Sequence, residues 1–169
     1  MNIPSDTSTT AHLSSAAGSS SAAAEPIKFY RVSQEFGFFS NFSAHPISLK
    51  CKLWPTSEHY FQAQKFVGSE FEEQVRLAAS PKEAAAIGRD RSLPLRKDWE
   101  EVKDNIMFEA VLAKFRQHDD LRAALLATGS ALLIEHTEKD SYWGDGGDGS
   151  GKNMLGIILM RVRSVLSSQ

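Results

Sequence analysis

Only one cysteine, Cys51, occurs among the 169 residues, which excludes an intramolecular disulfide framework and a cysteine-rich zinc site. No run approaches the ~18 consecutive apolar residues that a membrane-spanning helix needs, so an integral membrane role is not expected. Excess charge is also scarce. Nineteen Lys and Arg against 21 Asp and Glu leave a formal net charge of −2. That balance argues against broad nonspecific nucleic-acid binding and leaves room only for a local basic groove. The single thiol fits a reducing compartment, and a cytoplasmic setting is expected. What is present is 41% hydrophobic and 24% charged residues, the composition of one globular domain able to bury a core.

Residues 1–24 stand apart: sixteen of them are Ser, Thr or Ala, with no aromatic residue and no arginine. Such a segment cannot bury enough surface to offset its ordering entropy, so a disordered tail is expected there and a single domain over 25–169. The basic region and apolar core of a secretory signal are missing from it. Ile27–Val32 is β-prone. Ile47, Leu49, Cys51 and Leu53 alternate with polar residues, which predicts one half-buried strand ending at Pro55, with Cys51 as a small core residue. Thr56 or Ser57 caps a helix running from Glu58 through Val67, in which Tyr60, Ala63 and Val67 pack inward. Ser80-Pro81-Lys82-Glu83 is a strong helix start, and Gly88 a stop. Asp98 is positioned to cap the longest helix, Trp99 to Gln117, with Val102, Ile106, Ala110 and Ala113 as its apolar stripe. A further helix, Leu121–Thr128, ends at Gly129, where a left-handed residue is expected. Ala131–Ile134 reads as a buried strand, and a last helix starts near Asn153 with Leu155, Ile158, Leu159 and Val162 inward. Strands come early and late with helices between, which predicts an α+β, mostly helical fold with a few short strands.

Glu58, Gln62 and Lys65 are spaced i, i+4 and i+7, so one helix face carries all three. A carboxylate, an amide and an amine in one stripe can line a pocket; the same spacing equally describes an exposed polar face. Phe36, Phe38, Phe39, Phe42, Trp54, Tyr60, Phe61 and Phe66 crowd the sequence around Asn41 and Glu58. Flat side chains beside a few polar groups suit a stacked heterocycle, or an ordinary core. Gly146, Gly151 and Lys152 fit G-x-x-x-x-G-K, yet Asn153 stands where a phosphate-binding loop needs Ser or Thr, and Asp148 repels phosphate. The spacing of Asp145 and Asp148 also fails as a calcium loop. What survives is a flexible glycine-rich loop with amide groups free to meet an anion, or a plain turn. His12, His45, His59, His118 and His136 form no pair at metal-ligand spacing, and Glu58-His59 lacks the H-E-x-x-H arrangement. Arg89, Arg91, Arg96 and Lys97 make a basic segment, either a solvated loop or a phosphate holder.

With these segments in place, the chain resembles the YbiA/NADAR superfamily of N-glycosidases. The matching blocks are Phe39-Ser40-Asn41-Phe42, the run Trp54 to Phe66, Arg96-Lys97-Asp98-Trp99 with Lys103 and Met107, Ala113-Lys114-Phe115, and Asp140, Trp143-Gly144 with Asn153-Met154-Leu155-Gly156. They cover about Ile27 to Leu166 in order. The resemblance implies cleavage of a ribose–nitrogen bond without a metal or other cofactor. One branch hydrolyses phosphorylated ribosylamino-pyrimidines of the riboflavin pathway; another removes ADP-ribose from guanine in nucleic acid. A non-catalytic nucleotide-binding module is the alternative of another class. By carry-over, Glu58 is expected as the acid–base carboxylate, Lys65 as an amine attacking the anomeric carbon, and Asp140 as a second acid or ribose ligand. Asn41, Gln62, Trp99, Trp143 and Asn153 are expected to bind substrate. The partner so implied is a small ribosylated molecule, with nucleic acid only under the second branch. The acidic loop 145–152 is longer than in the simplest members and, if it borders the pocket, bears on substrate choice.

Overall fold

The computed structural model describes residues 24–169, so the tail expected over 1–24 lies, but for Ala24, outside the described residues. Six helices and four three-residue strands make one α+β, mostly helical domain: β1 (Ile27–Phe29), β2 (Ile47–Leu49), β3 (Lys52–Trp54), α1 (Ser57–Ala63), α2 (Glu70–Arg76), α3 (Pro81–Gly88), α4 (Trp99–Gln117), α5 (Asp119–Ala127), β4 (Leu133–Glu135) and α6 (Met154–Ser167). β1 pairs in parallel with β4, Ile27 opposite Leu133. β2 and β3 form a separate antiparallel hairpin, Ile47 opposite Trp54.

The single strand expected from Ile47 to Leu53 is that hairpin. Lys50 and Cys51 take φ of 52° and 60°, the two left-handed residues of a tight hairpin turn. Alternation therefore breaks at the turn, and Cys51 is exposed instead of buried in the core. Leu53 is exposed as well, whereas Trp54 is fully buried against Tyr60.

Thr56, extended at φ −148°, caps α1 by accepting from the His59 amide at 3.2 Å. Ser57 is not the cap. Its hydroxyl donates to Asn41 Oδ1 at 3.0 Å. The α-helix ends at Ala63 and tightens into a 3₁₀ turn over Gln64–Phe66. That change of pitch turns Phe66 into the core and leaves Val67 48% exposed, against the inward position expected for Val67. Helix α2 is absent from the pattern read above: only Val75 is buried in it, and its polar face is tied by Arg76–Glu73 and Lys52–Glu72 pairs.

Ser80 caps α3 by accepting from Glu83 N, with Pro81 at the first position, as expected. Asp98 precedes α4 but does not cap it with its side chain, because both carboxylate oxygens accept from Arg96 at 2.6 and 2.8 Å. α4 packs on α1, α5 and α6. Its buried surface is correspondingly wider than one stripe, adding Met107, Val111, Lys114 and Phe115 to Ile106, Ala110 and Ala113. Leu155, Ile158, Leu159 and Val162 of α6 complete this core. Gly129 is left-handed at φ 56°. No described helix is long and apolar enough to cross a membrane.

Candidate active site

A cavity of about 860 Å³ opens where α1, α3 and α4 meet the ends of β1 and β4. Asn41, Glu58, Gln62, Lys65, Trp99, Asp140 and Trp143 all line it. The helical stripe is thus not solvated: Glu58 is 6% and Gln62 5% exposed. Gln62 Nε2 donates to Glu58 Oε1 at 2.7 Å, and Gln62 Oε1 is buried with no partner among the described residues. Burial pushes the Glu58 carboxyl above its usual range, opposed by the Gln62 hydrogen bond and by Arg89 and Lys65.

Lys65 lies in the 3₁₀ turn, its backbone carbonyl held by Arg96 N at 2.9 Å. Its ammonium donates to Gly88 O at 2.7 Å and sits 5.4 Å from the Trp99 ring. Burial pulls Lys65 down to about 8, with Glu58 acting in the opposite sense. A desolvated amine of that kind keeps a nucleophilic neutral fraction near neutral pH.

Phe42, Phe61, Trp99, Tyr142 and Trp143 supply the aromatic wall. Phe61 meets Trp99 at 5.1 Å and Trp143 edge-on at 5.2 Å. The remaining Phe36, Phe38, Phe39, Trp54, Tyr60 and Phe66 serve the core. Arg31, Lys82, Arg89, Lys103 and Lys139 ring the cavity with positive charge. Of the basic segment, Arg89 reaches the cavity, while Arg96 is engaged by Asp98.

Asp140 Oδ1 accepts from the Tyr142 and Trp143 amides at 2.8 and 2.7 Å. It staples the turn that presents both rings. Asn41 occupies a loop tied to α1, its carbonyl accepting from Glu58 N at 3.2 Å.

Asn153 is the exception among the expected site residues. It is not part of the lining. Its amide donates to Leu133 O at 2.8 Å and its oxygen accepts from Glu135 N at 2.9 Å, so it fastens β4 to the start of α6 through both amide atoms. The glycine-rich loop likewise stays off the cavity, and its amides are not free. Gly149 and Gly151 donate to Asp145 O, and Met154 and Leu155 donate to the carbonyls of Tyr142 and Trp143. Asp145 is buried, accepting from Thr137 N and Gly147 N and pairing with His136 at 2.8 Å. An anion site at the α6 N-terminus is therefore overturned.

Two further residues matter to the site: Lys114, which sits in a matching block without an expected role, and Glu135, which sits in none. Lys114 is fully buried, and its Nζ donates to Phe38 O at 2.5 Å, Ser40 O at 3.0 Å and Ser43 Oγ at 2.5 Å. Burial pulls it down to about 7, while the three donors of an ammonium match its three contacts. It clamps the loop that brings Asn41 and Phe42 to the cavity. Glu135 also lines the cavity, and burial, then Asp140, Glu58 and Asp145, push it up to about 8. Extending the predicted strand by one residue puts Glu135 on the same side as Leu133. No group of three or more His, Cys, Asp or Glu among the described residues is arranged to hold a metal ion.

This arrangement has close counterparts. The NADAR domain family matches residues 28–167. The chain is 58% identical over 141 residues to N-glycosidase YbiA of Escherichia coli strain K12, covering 83% of this chain and 88% of that one. It is 43% identical over 142 residues to a riboflavin biosynthesis protein of Vibrio vulnificus, covering 84% of this chain and 39% of that longer one. The NMR structure of the E. coli protein YbiA superposes with a TM-score of 0.80 at 56% identity, over 86% of this chain and 87% of that one. With the match spanning every element that builds the cavity, the chain belongs to the NADAR family.

Proposed function

We propose that the cavity hydrolyses the ribose–nitrogen bond of a phosphorylated ribosylamino-pyrimidine, a riboflavin-pathway intermediate, with Glu58 and Lys65 as its catalytic pair. The broader class, a hydrolase of N-glycosyl bonds, follows from family membership and from the N-glycosidase relative at 58% identity. The narrower substrate draws support from the V. vulnificus relative's name, from aromatic walls suited to a flat base, and from the cationic rim suited to phosphate. The observation that carries the reading is an acid and an amine of opposed, burial-shifted basicity lining one aromatic cavity.

In this reading Glu58, fixed by Gln62 through one oxygen, moves a proton from the glycosidic nitrogen to the ring oxygen. The sugar opens to an imine at its anomeric carbon. Neutral Lys65 adds to that carbon, and departure of the base leaves a Schiff base that water hydrolyses. Asp140 Oδ2 and Asn41, which line the cavity, are assigned to the ribose, and Trp99 and Trp143 to the base. No metal or organic cofactor enters this chemistry.

The test is turnover of the pyrimidine ribotide, with borohydride trapping and mapping of the modified lysine. Glu58→Gln and Lys65→Ala are each expected to lose at least ~100-fold, the lower end for acid–base catalysis, and trapping is expected at Lys65. Full turnover by both variants overturns the mechanism. Parallel incubation with ADP-ribosylated DNA separates the second substrate class, ADP-ribosyl-guanine. Binding of ADP-ribose without release of base from either substrate favours a non-catalytic module.

A further inference from the structure

The C–N bond breaks only if the departing nitrogen receives a proton, and the roles above leave the donor unassigned. Asp140 Oδ1 is engaged by two backbone amides. Glu58 Oε1 is engaged by Gln62. Glu135 differs from both. Its carboxyl makes no hydrogen bond or ion pair among the described residues, while its backbone is held on both sides: the amide by Asn153 Oδ1 at 2.9 Å, the carbonyl by Asp145 N at 2.9 Å. As the last residue of β4 it stands on the side of fully buried Leu133 and lines the cavity.

We propose that Glu135 is the acid that protonates the leaving nitrogen; this rests on the N-glycosidase reading with Lys65 as nucleophile. The charged groups that act on it, Asp140 on the following loop, Glu58 on α1 and Asp145 in the glycine-rich loop, are all acids, and with burial they keep its proton on up to about 8. The step balances. From the geminal diamine formed by Lys65, the bond from the anomeric carbon to the base nitrogen breaks, and its electron pair goes to that nitrogen. The nitrogen takes the Glu135 proton and departs as an amine. The Lys65 nitrogen donates its lone pair to the anomeric carbon, giving a protonated Schiff base beside a Glu135 carboxylate. Water then adds its oxygen to that carbon, one water proton goes to the lysine nitrogen and the other restores Glu135. The carbon–lysine bond breaks with its electron pair going to the lysine nitrogen, releasing the sugar as an aldehyde and neutral Lys65.

The experiment uses N-aryl ribosylamine 5-phosphates carrying aniline or p-nitroaniline, measured above their spontaneous hydrolysis. For the wild type a bell-shaped profile is expected, rising as Lys65 loses its proton and falling as Glu135 loses its own. Glu135→Gln, of equal size, is expected to lose ~100-fold on aniline, the lower end for lost general-acid catalysis. On p-nitroaniline, which leaves with little protonation, the expected loss is under about tenfold. The falling limb is expected to vanish and the rising limb to stay, and Glu135→Asp is expected to restore the fall. Equal losses on both substrates, or an unchanged profile, overturn the role of Glu135; Lys65→Ala remaining inactive then leaves the broader reading standing. Wild-type failure on both compounds overturns both.

Discussion

Replacing Gly88 with alanine sets two effects of opposite sign against each other at one backbone position. Gly88 ends α3, and a β-carbon there would overlap Gln62 Oε1 and crowd its Cδ. Helix propensity alone favours the substitution by ~0.5–1 kcal/mol. Against that, forcing a carbon into a packed position costs ~1–3 kcal/mol. Relief requires the Gln62 amide to rotate, which breaks its 2.7 Å bond to Glu58; hydrogen bonds to charged groups contribute ~1.5–3 kcal/mol. With the strain relieved by that rotation, the net expectation is a loss of ~0.5–2.5 kcal/mol, or roughly 1–10 °C in Tm at this chain length. The same bond lowers the Glu58 titration, so its loss moves that titration further up. With the folded value rising further above the unfolded one, the variant loses stability relative to wild type where Glu58 must ionise. Below both values the Glu58 contribution to this difference disappears. Urea unfolding and carbon-13 NMR of the glutamate carboxyl carbons read the two quantities. A Gly88→Ala protein more stable than wild type, with Glu58 titrating unchanged, refutes the packing argument.

Lys114→Met strips three acceptors of their donor, Phe38 O, Ser40 O and Ser43 Oγ. Against relief of ammonium desolvation, a net loss of ~2–4 kcal/mol is expected, with faster amide exchange over 38–43 and reduced turnover. Unaltered exchange in that loop contradicts the clamp. Asn153→Ala removes two hydrogen bonds and leaves a β-carbon at φ 52°. It is expected to cost ~2–4 kcal/mol in urea unfolding, with Asn153→Gly recovering the backbone part. KM is expected to stay within about twofold of wild type, since hydrogen bonds to β4 and not to ligand are lost. A large KM rise at normal stability restores the substrate-binding role.

The long amphipathic helices were legible because periodicity survives wherever one face is buried: α6 and the cap of α3 lie where pattern and capping chemistry put them. The hairpin was not, because Lys50-Cys51 lacks the glycine or asparagine that normally marks two left-handed residues. Val67 was misplaced for a related reason, the change from 3.6 to 3.0 residues per turn after Ala63. At the site, the stripe of Glu58, Gln62 and Lys65 was visible as a spacing, but its burial depended on α3 and α4 closing over it. Glu135 and Asn153 show the limit most clearly. Which of two polar residues meets the cavity and which meets the backbone is decided by the β4–α6 junction, a contact that no local pattern encodes.

The parallel pairing of β1 with β4 sets Ile27 opposite Leu133, two positions far apart along the chain. Closing so long a loop costs entropy before any contact repays it, so such pairings form late in folding. Tyr30 and Arg31 follow β1, and Asp140, Tyr142 and Trp143 follow β4; all five border the cavity. A nascent chain therefore carries its acid–amine helix well before it owns a complete reaction chamber. Competence arrives with the last strand to dock, coupling catalysis to the finished fold.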